Sequence, residues 1–155
     1  TLFRSSAASD VYKRQIPFTL KAAEEKYGID KSISTFTVPL GATIKMDGTA
    51  IMQGCATFFL ASLYGIDLGL NEIITIVITA TIASIGTAGI PSAGIIMLTV
   101  IFTQIGIPLE GITLLLGVDR LLDMMRTSVN VSGDICISCV IASSENKINE
   151  SVFNS

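Results

Sequence analysis

Two long stretches of the chain hold no charged side chain, residues 48–66 and 73–109. A helix crosses a bilayer with roughly 20 mostly apolar residues, so either stretch is long enough to fill hydrocarbon. Polar and turn-forming residues interrupt the apolar pattern at residues 45–49 and again at the Gly/Pro-rich run 86–94. Irregular backbone at membrane depth is tolerated only where protein or a water-filled cavity satisfies its polar groups. The pattern therefore predicts an all-α membrane protein with discontinuous transmembrane helices.

Helices are predicted for most of the chain from residue 16 onward. Good helix formers, apolar runs and stop signals place them at residues 16–28, 33–44, 50–64, 71–84, 95–107 and 110–143. The fourth and fifth of these are short and are joined by the Gly/Pro-rich run. That arrangement favours a re-entrant helical hairpin over one straight span.

The last predicted helix carries a regular pattern of polar residues. Spacings of four, three, four and four separate Asp119, Asp123, Arg126, Asn130 and Asp134. At about 100° per residue these side chains fall within an arc of about 80°. Charged groups at mid-bilayer cost about 2.5 to 3.5 kcal/mol each, so they should face protein or water and mark a solute or ion pathway. Ion pairs that fasten this helix to a neighbour are the structural alternative.

Composition excludes several classes of protein. Charged residues make up 15% of the 155 residues and hydrophobic residues 50%, whereas soluble domains carry about 25% charged residues. The net charge of −3 and the lack of a basic cluster argue against a nucleic-acid partner. Histidine is absent, and the three cysteines are Cys55, Cys136 and Cys139. A single Cys-x-x-Cys spacing without a second pair favours packing over a metal or redox site.

Residues 1–15 differ from the rest of the chain. They form a short polar run with three basic residues, one acidic residue and no apolar signal core. The run looks like translated sequencing-adapter read-through at the end of a gene fragment, and a natural polar loop is the alternative. We therefore expect residues 1–15 to be non-native.

Three motifs carry a resemblance to a known family. They are GATIKMDGTA, ASIGTAGIPSAG and DRLLDMMRTSVNVSGD, at residues 41–50, 83–94 and 119–134. In this order they closely resemble the dicarboxylate/amino acid:cation symporters, the glutamate transporter family. The resemblance implies that residues 16–145 are the C-terminal transport domain, with the end of the first hairpin, the seventh helix, the second hairpin and the eighth helix. It also implies a cytoplasmic tail at residues 146–155, a multi-pass location in the cell inner (plasma) membrane, and a homotrimer when the protein is complete.

The resemblance implies a substrate site centred on the last helix. Arg126 aligns with the arginine that binds the side-chain carboxylate of the substrate, a role that suits the planar guanidinium group. Asp123 aligns with the aspartate that receives the α-ammonium group. Further contacts are implied for Thr127, Asn130, Thr49, Ile90 and Gly94.

Sodium is the coupling ion that the resemblance implies, and no organic cofactor is expected. Secondary transporters commonly bind such ions with the backbone carbonyls of discontinuous helices. The implied ligands are carboxylates, carbonyls and one amide group, from Asp134, Asp47, Asn130, Gly41, Thr43, Ser84, Ile85 and Thr87.

Two features depart from the family pattern, and a third position bears on ion coupling. Lys45 stands where the family has Asn in Asn-Met-Asp-Gly-Thr, and an ammonium group offers three donors and no acceptor. A read error, a damaged gene copy, or a fixed charge that replaces one sodium would each explain it. The serine-rich tip of the first hairpin is lacking, because residues 11–13 stand in its place before Pro17. Gln53 takes a position that is acidic in relatives that exchange potassium and protons, which favours plain sodium coupling.

The sequence thus predicts sodium-coupled secondary active symport of an acidic amino acid or dicarboxylate, and not an enzyme. Cystine or a neutral amino acid is the alternative substrate within the same family. A channel-like or structural membrane protein, or a fragment that does not transport, is the alternative from another class.

Overall fold

The computed structural model describes residues 15–86 and 93–153. Within these ranges the helices are α1 (15–25), α2 (Lys31–Ile44), α3 (Asp47–Leu63), α4 (Leu70–Gly86), α5 (Ala93–Ile105), α6 (Gly111–Ser144) and α7 (Glu150–Phe153). The described residues contain no strand, and an isolated antiparallel bridge joins Ile29 to Ile148. The prediction of an all-α fold is confirmed.

The predicted helix break is present between α2 and α3. Lys45 and Met46 separate the two helices, and Lys45 has an extended backbone with φ −130° and ψ 120°. The Lys45 amide donates to the Gly41 carbonyl at 2.9 Å, which ends α2, and the Thr49 amide donates to the Met46 carbonyl at 2.9 Å, which begins α3. Helix ends leave several backbone groups without partners in the helix. The break therefore brings two sets of polar backbone groups to one place.

Helix α1 ends at residue 25, and the chain turns at Gly28, the predicted stop, where this glycine contacts the C-terminal segment. Its φ of +63° is in the left-handed region that favours glycine. A Cβ atom on Gly28 would lie 2.6 Å from the Asn149 carbonyl oxygen. The Asn149 amide donates to the Gly28 carbonyl at 2.8 Å, and the Asp30 amide donates to the Lys147 carbonyl at 3.0 Å. Residues 28–30 and 147–149 are termed the clasp.

Helix α6 runs antiparallel to the broken helix α2–α3. Toward one end, the hydroxyl oxygens of Thr37 and Ser138 are 2.7 Å apart. In the middle, the Gly48 amide donates to Asn130 Oδ1 at 2.8 Å. At the other end, Gly111 lies against side chains of α3. These contacts form one continuous interface, termed the α6 seam.

Two apolar cores lie near opposite ends of the α6 seam. The larger core buries side chains of α3, α4, α5 and the start of α6, and it includes Ala56, Leu60, Ile76, Leu98, Phe102 and Leu115. The smaller core consists of Ala23, Ile29 and Ala142 beside the clasp. The polar middle of α6 therefore lies between two packed apolar regions, which fix its position against α2 and α3.

Large apolar side chains are exposed along α4 and α6. They include Leu70, Ile74, Val77, Ile82 and Ile85 on α4, and Leu114, Leu121, Met124, Met125 and Val140 on α6. Extended exposed apolar surface marks contact with lipid or with another protein.

Within residues 15–86 and 93–153, no helix has both the length and the apolar character needed to cross a membrane.

The two arms of the predicted hairpin are α4 and α5, which pack against each other. Both contribute to the larger core, and the Thr79 hydroxyl donates to Gln104 Oε1 at 3.2 Å. The tip at residues 87–92 lies outside the described residues. The helical arms are thus observed, whereas the re-entrant hairpin stays a prediction.

Candidate functional site

The predicted polar stripe of α6 faces the protein near the α2–α3 break. Asn130 and Asp134 are buried, with 4% and 3% of their surface exposed. Asp119, Asp123 and Arg126 are half-buried, further toward the start of the helix. Because buried polar and charged groups are costly without partners, their contacts show what this part of the molecule is built to hold.

The Arg126 guanidinium lies between two carboxylates that it does not bind tightly. Its Nη2 is 3.5 Å from Asp119 Oδ1 and its Nη1 is 3.7 Å from Asp123 Oδ1. Both distances exceed the roughly 2.7 to 2.9 Å of a good charge-assisted hydrogen bond. The Arg126 Nε atom is buried without a hydrogen-bond partner among the described residues. These three residues, termed the Arg126 cluster, leave a buried donor available to a ligand.

The starts of α3 and α5 surround this guanidinium. A Cβ atom on Gly94 would lie 3.4 Å from Arg126 Nη1 and 4.0 Å from Thr49 Cγ2. Thr49 is 3% exposed, and its hydroxyl oxygen is buried with no hydrogen-bond partner in the described part of the chain. The structure therefore brings together four residues that were predicted to bind substrate, Arg126, Asp123, Thr49 and Gly94.

Asn130 holds the start of α3 against α6. Its side-chain oxygen accepts the bond from the Gly48 amide, and a Cβ atom on Gly48 would overlap the Arg126 carbonyl oxygen. Thr127, one residue beyond Arg126, is also buried, with 7% exposed. Contacts of Thr127 and Asn130 with substrate stay predictions, as does the contact of Ile90, which lies outside the described residues.

Two further residues contact the site although the family resemblance gave neither of them a ligand role. Gln53 is fully buried; its Nε2 donates to the Gly94 carbonyl at 3.4 Å, and its Oε1 has no partner among the described residues. Asp119 contacts Arg126 as described above. Their spacing along the helix could have indicated these positions. Gln53 follows Thr49 by one helical turn and Asp119 precedes Arg126 by two turns, so each lies on the same helix face as a predicted site residue.

A candidate cation site lies where α6 meets α2. The Asp134 carboxylate is so close to Gly41 that a Cβ atom there would overlap it. Asp134 is 3% exposed. An anionic oxygen that is buried beside the backbone of a helix end is a donor set that fits a small cation.

The other predicted sodium ligands are more scattered. The exposed Thr43 donates its hydroxyl to the Pro39 carbonyl at 2.7 Å. Ser84 is buried and its hydroxyl donates to the Thr81 carbonyl at 2.8 Å. The side chain of Ile85 is exposed, and Thr87 lies outside the described residues. A role for the backbone carbonyls of these residues stays a prediction.

The surroundings of Asp47 do not fit a free cation. The Lys45 ammonium nitrogen lies 3.0 Å from Asp47 Oδ2, so a positive charge already contacts this carboxylate. In the described ranges no group of three or more His, Cys, Asp or Glu side chains is arranged to bind a metal ion. The Lys45 contact therefore distinguishes Asp47 from Asp134, and sodium binding by either carboxylate stays a prediction.

Two cavities among the described residues lie away from the Arg126 cluster. One of about 440 Å³ is lined by clasp residues together with Glu24. The other, of about 410 Å³, lies between α1 and residues Val131 and Ile135 of α6. Beside the first cavity, hydrogen bonds from the Ser32 hydroxyl and amide, with a smaller effect of the Lys147 charge, hold the pKa of Asp30 below its ordinary value.

Comparison with protein families defines the class of this molecule. The model of the sodium:dicarboxylate symporter family matches residues 4–144. The chain therefore belongs to the sodium:dicarboxylate symporter family, which confirms the resemblance drawn from its three motifs. The matched range includes residues 4–15, and the interpretation of residues 1–15 as non-native stays a prediction.

Individual relatives agree with this assignment. The chain is 50% identical over 119 residues, or 77% of its length, to excitatory amino acid transporter 3 of Mus musculus, excitatory amino acid transporter 1 of Rattus norvegicus and excitatory amino acid transporter 2 of Homo sapiens. It spans only 23%, 22% and 21% of those proteins. The family and these relatives are transporters, not enzymes.

Proposed function

We propose that this chain forms the binding region of a symporter that uses a sodium gradient to carry an acidic amino acid or dicarboxylate. The observation that supports this most directly is the half-buried Arg126 side chain, whose buried Nε atom has no hydrogen-bond partner among the described residues. A carboxylate can accept two parallel hydrogen bonds from one guanidinium group. In a partly dehydrated site such a bond is stronger than in water. Membership of the sodium:dicarboxylate symporter family supports the same function.

The neighbouring carboxylates favour an amino acid over a simple dicarboxylate. Asp123 is half-buried and lies 3.7 Å from Arg126 Nη1, so the α-ammonium group of a substrate can contact it while the substrate carboxylate binds Arg126. A dicarboxylate has no ammonium group and would place like charges side by side, which is unfavourable. We therefore expect glutamate-like or aspartate-like substrates to bind more tightly than succinate-like ones.

One observation supports the second candidate, a neutral amino acid or cystine. Asp119 and Asp123 both lie near Arg126, so the cluster carries a net negative charge when both carboxylates are ionised. If Arg126 stays paired with them, the site offers less attraction to a second substrate carboxylate. Competition between aspartate, succinate, serine and cystine separates the two candidates.

The buried Asp134 carboxylate beside Gly41 supports a sodium site in the α6 seam. Asp134 and the backbone of Gly41 would hold sodium there, and Asn130 would keep α3 in place beside them through its bond to Gly48. When it is bound, sodium supplies a positive charge that offsets the buried carboxylate. The carbonyls of Thr43, Ser84, Ile85 and Thr87 are proposed as further ligands.

The proposed cellular context is a membrane. Exposed apolar side chains on α4 and α6 support contact with lipid or with other parts of the transporter. We infer a multi-pass protein of the plasma or inner membrane, with α4 and α5 as the arms of a re-entrant hairpin and a homotrimer as the complete assembly.

Uptake into liposomes tests the proposed function. The full-length protein that carries this chain is reconstituted, and labelled aspartate is supplied outside with or without an inward sodium gradient. We expect accumulation above the external concentration only with the gradient, and competition by glutamate above that by serine.

Two outcomes would contradict the proposal. Passive equilibration that ignores the sodium gradient would indicate a channel-like protein. Stronger competition by serine or cystine than by glutamate would indicate the neutral substrate class.

A further inference from the structure

The Lys45–Asp47 pair lies at the α2–α3 break and contacts α6. Lys45 Nζ is 3.0 Å from Asp47 Oδ2, and 22% of the Lys45 side chain is exposed compared with 52% of Asp47. The ammonium group is thus the more buried partner. A lysine ammonium that loses water needs an anionic partner nearby, and Asp47 provides it.

The two charges match the helix ends that carry them. Lys45 directly follows the C-terminal end of α2, and Asp47 is in the first turn of α3. The C-terminal end of a helix attracts positive charge through its unpaired carbonyls, and the N-terminal end attracts negative charge. In discontinuous helices of secondary transporters, such C-terminal ends and unwound carbonyls are where coupling cations bind. The Lys45 ammonium group therefore occupies a position with the electrostatics of a cation site.

Helix α6 leaves room for this ammonium group at Gly133. A Cβ atom on Gly133 would lie 2.6 Å from Lys45 Nζ and 3.6 Å from Asp47 Oδ2. Glycine inside a helix costs about 1 kcal/mol relative to alanine. The glycine at this point therefore allows a contact that no other residue would permit without moving Lys45.

We propose that the Lys45 ammonium group is a covalently attached cation that takes the place of one free coupling cation at Asp47. This inference rests on the proposed function as a sodium-coupled symporter. Substrate binding should then require fewer sodium ions than it would with a neutral residue at position 45. Asp134, at its separate position against Gly41, keeps its own requirement for sodium.

The test compares the sodium dependence of substrate binding in three forms of the full-length protein. Labelled aspartate binding is titrated over a range of sodium concentrations for wild type, Lys45→Asn and Lys45→Arg, with choline holding ionic strength constant. Linkage predicts that the slope of log affinity against log sodium concentration rises by about one in Lys45→Asn. Lys45→Arg keeps a fixed positive charge, so its slope should equal that of wild type.

A second measurement covers the possibility that Lys45→Asn folds but binds substrate too weakly to titrate. The melting temperature of each form is followed against sodium concentration without substrate. A steeper sodium-dependent rise in Lys45→Asn than in wild type and Lys45→Arg supports the proposal, and equal rises overturn it.

The outcomes separate this inference from the proposed function. Equal substrate-binding slopes in wild type and Lys45→Asn, with binding intact, overturn the role of Lys45 alone. Absence of aspartate binding by all three forms at every sodium concentration overturns the proposed function and this inference with it.

Discussion

Two cationic side chains contact the α6 seam, and they differ in how completely their partners satisfy them. Arg126 has two carboxylates at 3.5 and 3.7 Å and a buried Nε atom without a partner in the described residues. Lys45 has one carboxylate at 3.0 Å, on a residue only two positions away in the chain. Arg126 thus retains a buried donor for a ligand, whereas the charge of Lys45 already has a carboxylate at short range.

The difference follows from how each partner is positioned. Asp119 and Asp123 project from the same helix as Arg126, so the spacing of helical turns sets their distances. Asp47 begins a new helix after an extended residue, and the flexible Lys45 side chain can reach it directly. Arg126, within a regular helix, can therefore still bind a ligand, while Lys45, at the helix break, pairs with a residue close to it in the chain.

The largest expected effect is the loss of substrate affinity when Arg126 is replaced. Arg126→Gln should reduce the affinity for aspartate by about 30-fold or more, because truncating one member of a buried charge pair costs about 2 to 5 kcal/mol. Affinity for neutral amino acids should change less. Competition binding measures both, and Arg120→Gln, at an exposed position of the same helix, is the matched control. Equal losses for acidic and neutral substrates would remove Arg126 as the specificity residue.

A smaller effect is expected where α3 contacts the Arg126 backbone. Gly48→Ala should destabilise the protein by about 1 to 3 kcal/mol, the usual cost of overpacking, because its Cβ atom would overlap the Arg126 carbonyl oxygen. Thermal unfolding in detergent measures this. Gly54 is the control on the same helix, since a Cβ atom there would have no neighbour within 4 Å. Equal melting temperatures for Gly48→Ala and Gly54→Ala would contradict the close approach.

A still smaller effect on stability is expected at the Lys45–Asp47 pair. Gly133→Ala should displace the end of Lys45 and weaken its bond to Asp47. Compared with Gly117→Ala, which shares the gain of about 1 kcal/mol from replacing a helical glycine, it should be less stable by about 0.2 to 1 kcal/mol because the pair is partly exposed. Gly117→Ala is the control on α6, since a Cβ atom there has no neighbour within 4 Å. Thermal unfolding and the sodium titration measure the change. Indistinguishable behaviour of the two variants would show that Lys45 is not held against Gly133.

The smallest effect concerns pH and the clasp. The pKa of Asp30 is lowered by its hydrogen bonds with Ser32, so its contribution to stability is present at neutral pH and is lost as pH falls below about 4, through the folded-state value. Asp30→Asn keeps a capping side chain for α2 but removes this titration. Its stability should therefore fall less than that of wild type over the acid range. Unfolding is followed at several pH values, with the exposed Asp67→Asn as control; identical acid profiles for wild type and Asp30→Asn would contradict the pKa shift.

Much of the fold was predictable because local patterns determine it. The apolar stretches, the stop at Gly28, the break at Lys45 and the polar stripe of α6 all follow from residue spacing along one segment. Contacts between distant segments were not predictable from these patterns. The Thr37–Ser138 contact and the Gly48–Asn130 bond join residues far apart in the chain. Residue periodicity predicts which face of each helix is buried but not which residues it meets there.

The sequence predicted which residues belong to the candidate site better than it predicted the contacts between them. Arg126, Asp123, Thr49 and Gly94 came from motif resemblance, and the structure brings them together. The sequence indicated that Lys45 offers no acceptor to a cation, but it did not show that Lys45 pairs with Asp47, because that pairing depends on the extended backbone between two helices. Gln53 was weighed only for ion coupling, since its contact with Gly94 joins separate helices.

The clasp has a mechanical consequence for the whole bundle. It ties the connection between α1 and α2 to the residues after α6 through backbone hydrogen bonds, and the Thr37–Ser138 contact lies on the same pair of helices. Sliding α6 past α2 by one turn, about 5.4 Å, would break all of these bonds at once. We therefore expect α2 and α6 to move together as one rigid body in any conformational change. The distance between Gly41 and Asp134 should then stay constant.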